Sequence, residues 1–409
     1  MNESAPDRKP RVLIAGGGIA GIEALLALHD LAEDRVEITL AAPEPEFLYK
    51  PLSVEEPFSL APAERRALEP LVGELGARFV PKALAAVRPA DHVAELADGS
   101  DSTYDALVVC VGGRTRPAFA GAITFRASGQ ELDIDELLRG SERIAFVVPP
   151  SATWPLPIYE LALMSRRRAE ELGLRDLRLT VVTPESAPLI IFGTDASEAV
   201  AQLHRARGID VEAGARAHES EGGELILTPG ERHLDADAVL ALPEMLGPGV
   251  AGLPADDRGF IPIDDHARVG GVDDVYAAGD GTTFPIKQGG LGTQQADAAA
   301  EHIAARFGAP VDPLPFHPIL RGQLLTGEES LHLRQDVAGG AGEGAASADY
   351  LWWPPHKVSG RYLAPWLEGD TPHFDPTPPR HPIDVEIALP KEWHTVPMAL
   401  DPFGPPDVK

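Results

Sequence analysis

The segment Gly16-Gly17-Gly18-Ile19-Ala20-Gly21 fits the pattern G-x-G-x-x-G and is the first place in this chain where backbone can do chemistry. Gly16 permits a tight turn, Gly18 lets the main chain approach a pyrophosphate, and Gly21 allows a helix to pack closely on a strand. A helix that opens at Ile19 and Ala20 aims free N–H groups and its positive dipole end at such a phosphate. The strand that follows should end on an acid that binds ribose hydroxyls. That position is Ala42, followed by Pro43 and Glu44. Two readings are equal: Glu44 does this work from a displaced position, or it is a solvated turn residue.

These residues need a βαβ frame to position them. Arg11 to Ala15 is a short apolar run that reads as a buried parallel strand, Ile19 to Leu31 as a helix, and Val36 to Ala41 as a second strand. Asp98-Gly99 reads as a turn, and Ala106 to Val111 as a strand. A second βαβ stretch follows, with strands at Ile144 to Val148 and Leu177 to Val182 and a helix at Ile158 to Leu172. Further strands are expected at Ala238 to Leu242 and Val275 to Ala278, and a helix from Gly292 to Phe307. Gly339 to Ala346 reads as a flexible loop. The proline-dense tail after Asp370 reads as extended, with a strand at Val385 to Leu389.

The chain has 409 residues, too many for one ordinary core. A formal net charge of −28, from 35 basic and 63 acidic side chains, repels nucleic-acid phosphates, so no nucleic-acid partner is expected. The single cysteine, Cys110, permits no intrachain disulfide and gives no argument for secretion. No signal-like or membrane-spanning run stands out, so a cytoplasmic location is the default expectation. A peripheral, non-spanning membrane contact and a homodimer are both compatible with the sequence. The 13 histidines are scattered without metal-ligand spacing, and no metal is expected.

Two more segments choose the nucleotide. Tyr104-Asp105-Ala106-Leu107-Val108-Val109-Cys110-Val111-Gly112-Gly113 resembles the "YDxLVxATG" strand, and Val275-Tyr276-Ala277-Ala278-Gly279-Asp280 the "vYAxGD" motif, of FAD-dependent pyridine nucleotide-disulfide oxidoreductases. With the first glycine motif they make an ordered set of three. The chain is most similar to the sulfide:quinone oxidoreductase and type II NADH dehydrogenase-like group. Phe47-Leu48-Tyr49-Lys50-Pro51-Leu52 resembles that group's "FxYxPLL" segment beside the flavin, and Pro285-Ile286-Lys287-Gln288-Gly289-Gly290 its approach to the flavin's pyrimidine edge. The resemblance implies FAD, an α/β fold and two Rossmann-like domains, the FAD domain being split. It implies cofactor contacts at Lys50, Pro51, Lys82, Ala83, Val111, Gly112, Gly279, Asp280, Gln288 and Gly289, beside those of the first motif. Lys287 could add positive charge near reduced flavin, or be a surface lysine in a glycine-rich loop. The expected domains are residues 1–120 and 258–335 for FAD, 121–257 for the second Rossmann-like unit, and 336–409 for a Pro/Trp-rich segment.

The chain also departs from that group. The second crossover turn, Val148-Pro149-Pro150-Ser151-Ala152-Thr153-Trp154-Pro155-Leu156-Pro157, contains no glycine. Prolines lack N–H donors, so tight NAD(P)H binding is disfavoured there. Trp154 either fills part of the vacated cleft or packs in a core. No cysteine pair exists to accept sulfide or run disulfide exchange. Glu160, in Pro157-Ile158-Tyr159-Glu160-Leu161-Ala162, looks like a glutamate facing the flavin-substrate region of that group. It reads as a proton-exchanging carboxylate, against the alternative of a helix-dipole partner. Trp352, Trp353 and Trp366 could form an aromatic wall, anchor at a membrane interface, or pack in the core, the last leading; His356 and Lys357 beside them carry no assigned role. The leading expectation is a flavoenzyme passing electrons from a small donor through FAD to a quinone-like or other small acceptor. An NAD(P)H-dependent reductase and a non-catalytic, redox-sensing flavoprotein are the alternatives.

Overall fold

The computed structural model describes residues 8–61, 64–127, 132–220, 222–335 and 344–369. The expected strand at Val385 to Leu389, the proline-dense tail and residues 339–343 of the expected loop lie outside them.

The chain opens with β1 (Arg11–Ala15), α1 (Ile19–Ala32), β2 (Glu37–Ala41), β3 (Arg78–Val80) and β4 (Ala106–Val109). It crosses into a second unit with β5 (Ile123–Thr124), β6 (Arg143–Val147), α2 (Leu156–Glu171), β7 (Arg178–Val182), α3 (Thr194–Ala206), β8 (Ile209–Glu212) and β9 (Ala238–Ala241). It then returns through β10 (Val275–Ala277) and α4 (Gly289–Arg306). The described part ends with β11 (Leu320–Leu324), β12 (Leu331–Gln335), β13 (Ala345–Ser347) and α5 (Leu363–Leu367).

Two parallel sheets carry the architecture. The first has the order β10-β4-β1-β2-β3 and the second β5-β9-β6-β7-β8. The first therefore takes its outer strand from a segment that follows the whole second unit, the split expected for the flavin domain. β1 is central, and Val12, Leu13, Ile14 and Ala15 are all buried, as a strand covered on both faces requires. On α1, Ile22, Leu25, Leu26 and Leu28 enter the core, while Ala20 and Ala24 keep the helix slim enough for α4 to lie against it. Each such fully buried aliphatic side chain contributes about 1.5–3 kcal/mol. No helix among the described residues is long and apolar enough to cross a membrane.

Three differences from the sequence reading have physical causes. α4 begins at Gly289 rather than Gly292, because the Gln288 side chain accepts the Leu291 N–H at 2.9 Å and caps the helix. α2 begins at Leu156 rather than Ile158, with Pro157 tolerated in its first turn. Ala345 and Ala346 belong to β13, not to a flexible loop, because β13 pairs antiparallel with β12. That sheet, β11-β12-β13, straddles position 335/336, where the sequence suggests a domain boundary.

Candidate functional site

A single cavity of 1120 Å³ lies at the carboxyl ends of the strands of both sheets, where open α/β sheets place their ligands. Gly16, Gly18, Ile19 and Ala20 form one end of it. Gly16 has φ +115°, and a Cβ there would sit 2.2 Å from the Cys110 carbonyl oxygen; only glycine fits. A Cβ on Gly21 would fall 1.8 Å from the Gly16 oxygen, so Gly21 serves helix–strand packing and does not line the cavity. Gly18 caps α1 without a side chain and faces open space. The first-turn amides of α1 are thus left to whatever fills the cavity.

Ala42 and Glu44 line the same end, with Glu44 exposed at the rim. Lys50, Pro51, Ala83, Val111, Gly112, Gln288 and Gly289 line it as well. Lys82 does not: its ammonium is held by Asp98 and, at 3.3 Å, by the Ser100 hydroxyl. Gly279 and Asp280 line the cavity, but the Gly279 N–H donates to Gln295 Oε1 at 2.8 Å, which fixes this loop on α4. Burial pushes the Asp280 carboxyl above its ordinary range, against the pull of Lys287 and Lys50. Lys287 is not a surface lysine; it is only 5% exposed. Its ammonium donates to the Thr282 and Phe284 carbonyls, the latter at 2.6 Å, and lies 4.0 Å over the Phe260 ring. Burial lowers its pKa to about 7 while Asp280 opposes the shift.

The cradle fits FAD. A dinucleotide-sized cleft begins at a helix N-terminus whose cap offers no side chain and ends at a half-buried Asp280. A Cβ at Gly16 would close the turn against backbone that cannot move.

The second crossover turn is built the opposite way. The Ala152 N–H is spent on the Pro149 carbonyl at 2.9 Å. α2 has Pro155 at its cap and Pro157 in its first turn, and the Ile158 N–H bonds the Pro155 carbonyl at 3.0 Å. Glu185, just beyond β7 where a ribose-binding acid belongs, points inward. It is fully buried, and its Oε2 accepts the Tyr159 hydroxyl at 2.7 Å and the Thr183 hydroxyl at 2.9 Å. Half-buried Trp154 lines the cavity with the Phe192 ring set edge-on at 5.8 Å.

Glu160 lies in the first turns of α2 with no exposure at all. It is no dipole partner in solvent: both its oxygens accept from Lys357 Nζ, at 2.6 and 2.8 Å, and Oε1 also accepts the Leu325 N–H at 2.9 Å. Burial raises the Glu160 carboxyl to about 7 even though Lys357 opposes it, and burial lowers Lys357 while Glu160 opposes that. Lys357 itself lines the cavity beside Gln323 and Val358, and the Val358 N–H donates to the Tyr49 hydroxyl at 2.7 Å. Sequence reasoning left Lys357 without a role.

The three tryptophans form no common wall. Trp366 packs against Phe47 under the Arg66 guanidinium, Trp352 donates from Nε1 to the His356 carbonyl, and Trp353 is 70% exposed. None lines the cavity. Asp264, Asp265 and His266 bring possible ligand atoms within 4.8 Å of one another, but Asp264 is engaged by Arg268 and by the His266 N–H.

The profile of the pyridine nucleotide-disulphide oxidoreductases matches residues 159–302. That stretch is about a third of the chain, and over it the chain is similar to the pyridine nucleotide-disulphide oxidoreductase superfamily. It is an FAD-dependent oxidoreductase. One relative is the alternative NAD(P)H-ubiquinone oxidoreductase C1, chloroplastic/mitochondrial, of Arabidopsis thaliana, 25% identical over 397 residues, covering 80% of this chain and 74% of the relative. Another is the 5,5'-dehydrodivanillate O-demethylase ferredoxin reductase subunit of a Sphingobium species, 25% identical, covering 74% of this chain and 77% of the relative. Among solved structures, the sulfide:quinone oxidoreductase of Aquifex aeolicus superposes with a TM-score of 0.73 at 20% identity, over 83% of this chain and 86% of that one. A ferredoxin reductase of Rhodopseudomonas palustris superposes with a TM-score of 0.57 at 22% identity, over 81% and 83%. Members of the superfamily that reduce disulfides need two thiols; here Cys110 is alone, buried, and pushed up to about 12.

Proposed function

We propose that this flavoenzyme passes electrons through FAD to a quinone-like acceptor seated against Lys357. The observation that carries the reading is the buried Glu160–Lys357 pair in contact with the cavity wall. Bound FAD supplies two-electron redox chemistry. A quinone taking two electrons must also take up protons. Lys357 Nζ can donate a hydrogen bond to an acceptor oxygen and release a proton there. Glu160, held near neutrality by burial, can restore that proton through the 2.6 Å contact. The names of the Arabidopsis relative and the Aquifex structure, both quinone oxidoreductases, support the same acceptor class.

Anaerobic, photoreduced enzyme mixed with a short-chain ubiquinone tests this directly. Wild-type flavin is expected to reoxidise saturably with quinone. Lys357→Met is expected to slow that step by roughly 10²-fold. Failure of every quinone tried to reoxidise wild-type enzyme would overturn the proposal.

The relative's name also offers NAD(P)H as donor. The spent amides of the second turn and the inward Glu185 count against it.

A further inference from the structure

We propose that the crevice at the carboxyl ends of β5, β9 and β6 binds a flat, apolar, phosphate-free hydride donor. The inference rests on flavin-dependent electron transfer and names the class of molecule that feeds it.

The crevice occupies the ligand position of an open parallel sheet, yet each strand ends in apolar groups. β5 runs into Phe125, β9 into Leu242 and Pro243, and β6 into the turn bearing Ala152 and Trp154. Phe125 and Leu242 are each 5% exposed, and the Phe125 N–H is bound to the Ala241 carbonyl at 2.8 Å. These walls are packed side chains rather than loop tips. Trp154 presents a flat face whose tilt is set by Phe192. Such a slot favours an aromatic or dihydroaromatic ring.

Much of what would hold a dinucleotide's phosphates and ribose there is consumed internally, and the one guanidinium on the lining beside Phe125 is Arg126. The turn's prolines have no N–H, the Ala152 and Ile158 amides are bonded within the turn, and Glu185 is sealed by Tyr159 and Thr183. The crevice is nevertheless continuous with the FAD cradle, since the same cavity reaches from Gly16 to Pro157. A small donor can therefore meet the flavin without a nucleotide handle. In the step, a donor C–H bond breaks and both its electrons leave with the hydrogen as hydride to the flavin. The donor departs oxidised by two electrons.

The probe is 1-benzyl-1,4-dihydronicotinamide, a hydride-donating ring without pyrophosphate, which leaves as its pyridinium cation. It is expected to reduce the flavin with a saturating rate, whereas NADH at equal concentration is expected to be at least tenfold slower. Binding is read separately with the inert, neutral 1-benzyl-1,4,5,6-tetrahydronicotinamide. It should quench tryptophan fluorescence saturably and raise the melting temperature. Trp154→Ala should weaken that binding about tenfold, while Trp154→Phe restores most of it. Flavin content and melting temperature of each variant show whether it folds. Faster reduction by NADH than by the benzyl probe, or no saturable binding of the inert analogue, would overturn the donor class. Quinone reoxidation of photoreduced enzyme needs no donor, so failure of the acceptor reading is seen independently.

Discussion

The first and second βαβ units share one topology and diverge at two matched places. Each has a crossover turn, and each has a glutamate as the fifth residue of its helix: Glu23 in α1 and Glu160 in α2. The first turn is Gly16 to Gly21 and opens α1 without a side-chain cap; the second is proline-rich and spends the Ala152 and Ile158 amides within itself. Both glutamates are fully buried, and both hold the same C-terminal stretch. Glu23 accepts the Tyr362 and Leu363 N–H groups at 2.9 and 2.6 Å, while Glu160 grips Lys357. Yet Glu23 faces a second carboxyl, Asp297, whereas Glu160 faces a cation. One unit is thus built to bind cofactor and dock the C-terminal segment, the other to put a charged pair against the cavity. Fold alone separates neither role; the turn backbone and the glutamate's partner do.

The largest effect should come from importing bulk into the first turn. In Gly21→Val the new Cβ meets the Gly16 carbonyl at 1.8 Å, backbone against backbone. A loss on the order of 4 kcal/mol or more is expected, with purified protein devoid of flavin absorbance. Retention of yellow colour and melting temperature would show that the two turns are less different than argued.

Next in size is Lys357→Met, which strands the Glu160 carboxylate. Removing one partner of a buried pair costs on the order of 3–5 kcal/mol. The sign with pH is definite. Glu160 titrates at about 7 in the fold, above its unfolded value of about 4.5, so its contribution to stability falls as pH rises through that window. Without Lys357 the folded value rises further and the loss extends to higher pH. Denaturant melts across pH should show the deficit of the variant growing toward alkaline conditions and shrinking in acid; a pH-independent deficit would mean the lysine matters only for packing.

The mirror of the first test is Pro150→Gly. Restoring a glycine to the second turn should cost only about 1 kcal/mol through chain entropy, keep FAD bound, and leave reduction by NADH slow because Ala152, Ile158 and Glu185 stay engaged. Fast flavin bleaching by NADH in this variant would place the whole block in one proline.

Legibility in the sequence followed range. The Gly16–Gly21 turn, the strand before Gly112 and the Val275–Asp280 motif are local patterns, and all three meet at the cavity. Proline content in the second turn was equally readable. Lys357 was not, because it meets Glu160 across 197 residues and nothing near it in sequence announces that contact. Nor was the cap at Gln288, since glutamine is not among the favoured cap residues. Lys82 was misplaced toward the cavity by resemblance, whereas Asp98 and Ser100 across the turn hold it. Glu185 shows the converse: a strand-end acid looks like a ribose ligand until Tyr159 is seen to cover it.

The smallest expected effect probes the carboxyl that distinguishes Glu23 from Glu160. Burial raises Glu23 to about 7 while a hydrogen bond from Asp297 opposes the shift, and burial raises Asp297 well above its usual range with the Glu23 charge adding to the rise. The pair therefore keeps a proton in the fold that it lacks when unfolded at neutral pH, and wild-type stability must fall as pH rises through the raised values. Asp297→Asn removes the like charge and supplies an amide donor at the same place. At about pH 5, where the wild-type pair is protonated, the two proteins should melt alike; at about pH 9 the variant should be the more stable by roughly 1–2 kcal/mol. Arg361, whose guanidinium pairs with Glu301 at 3.0 Å and lowers Asp297, moderates the effect without reversing it. A variant less stable than wild type at both pH values would mean that the Glu23–Asp297 contact holds the C-terminal segment by the geometry of its oxygens rather than by a shared proton. Glu23 and Glu160 would then differ in partner but not in the way each responds to pH.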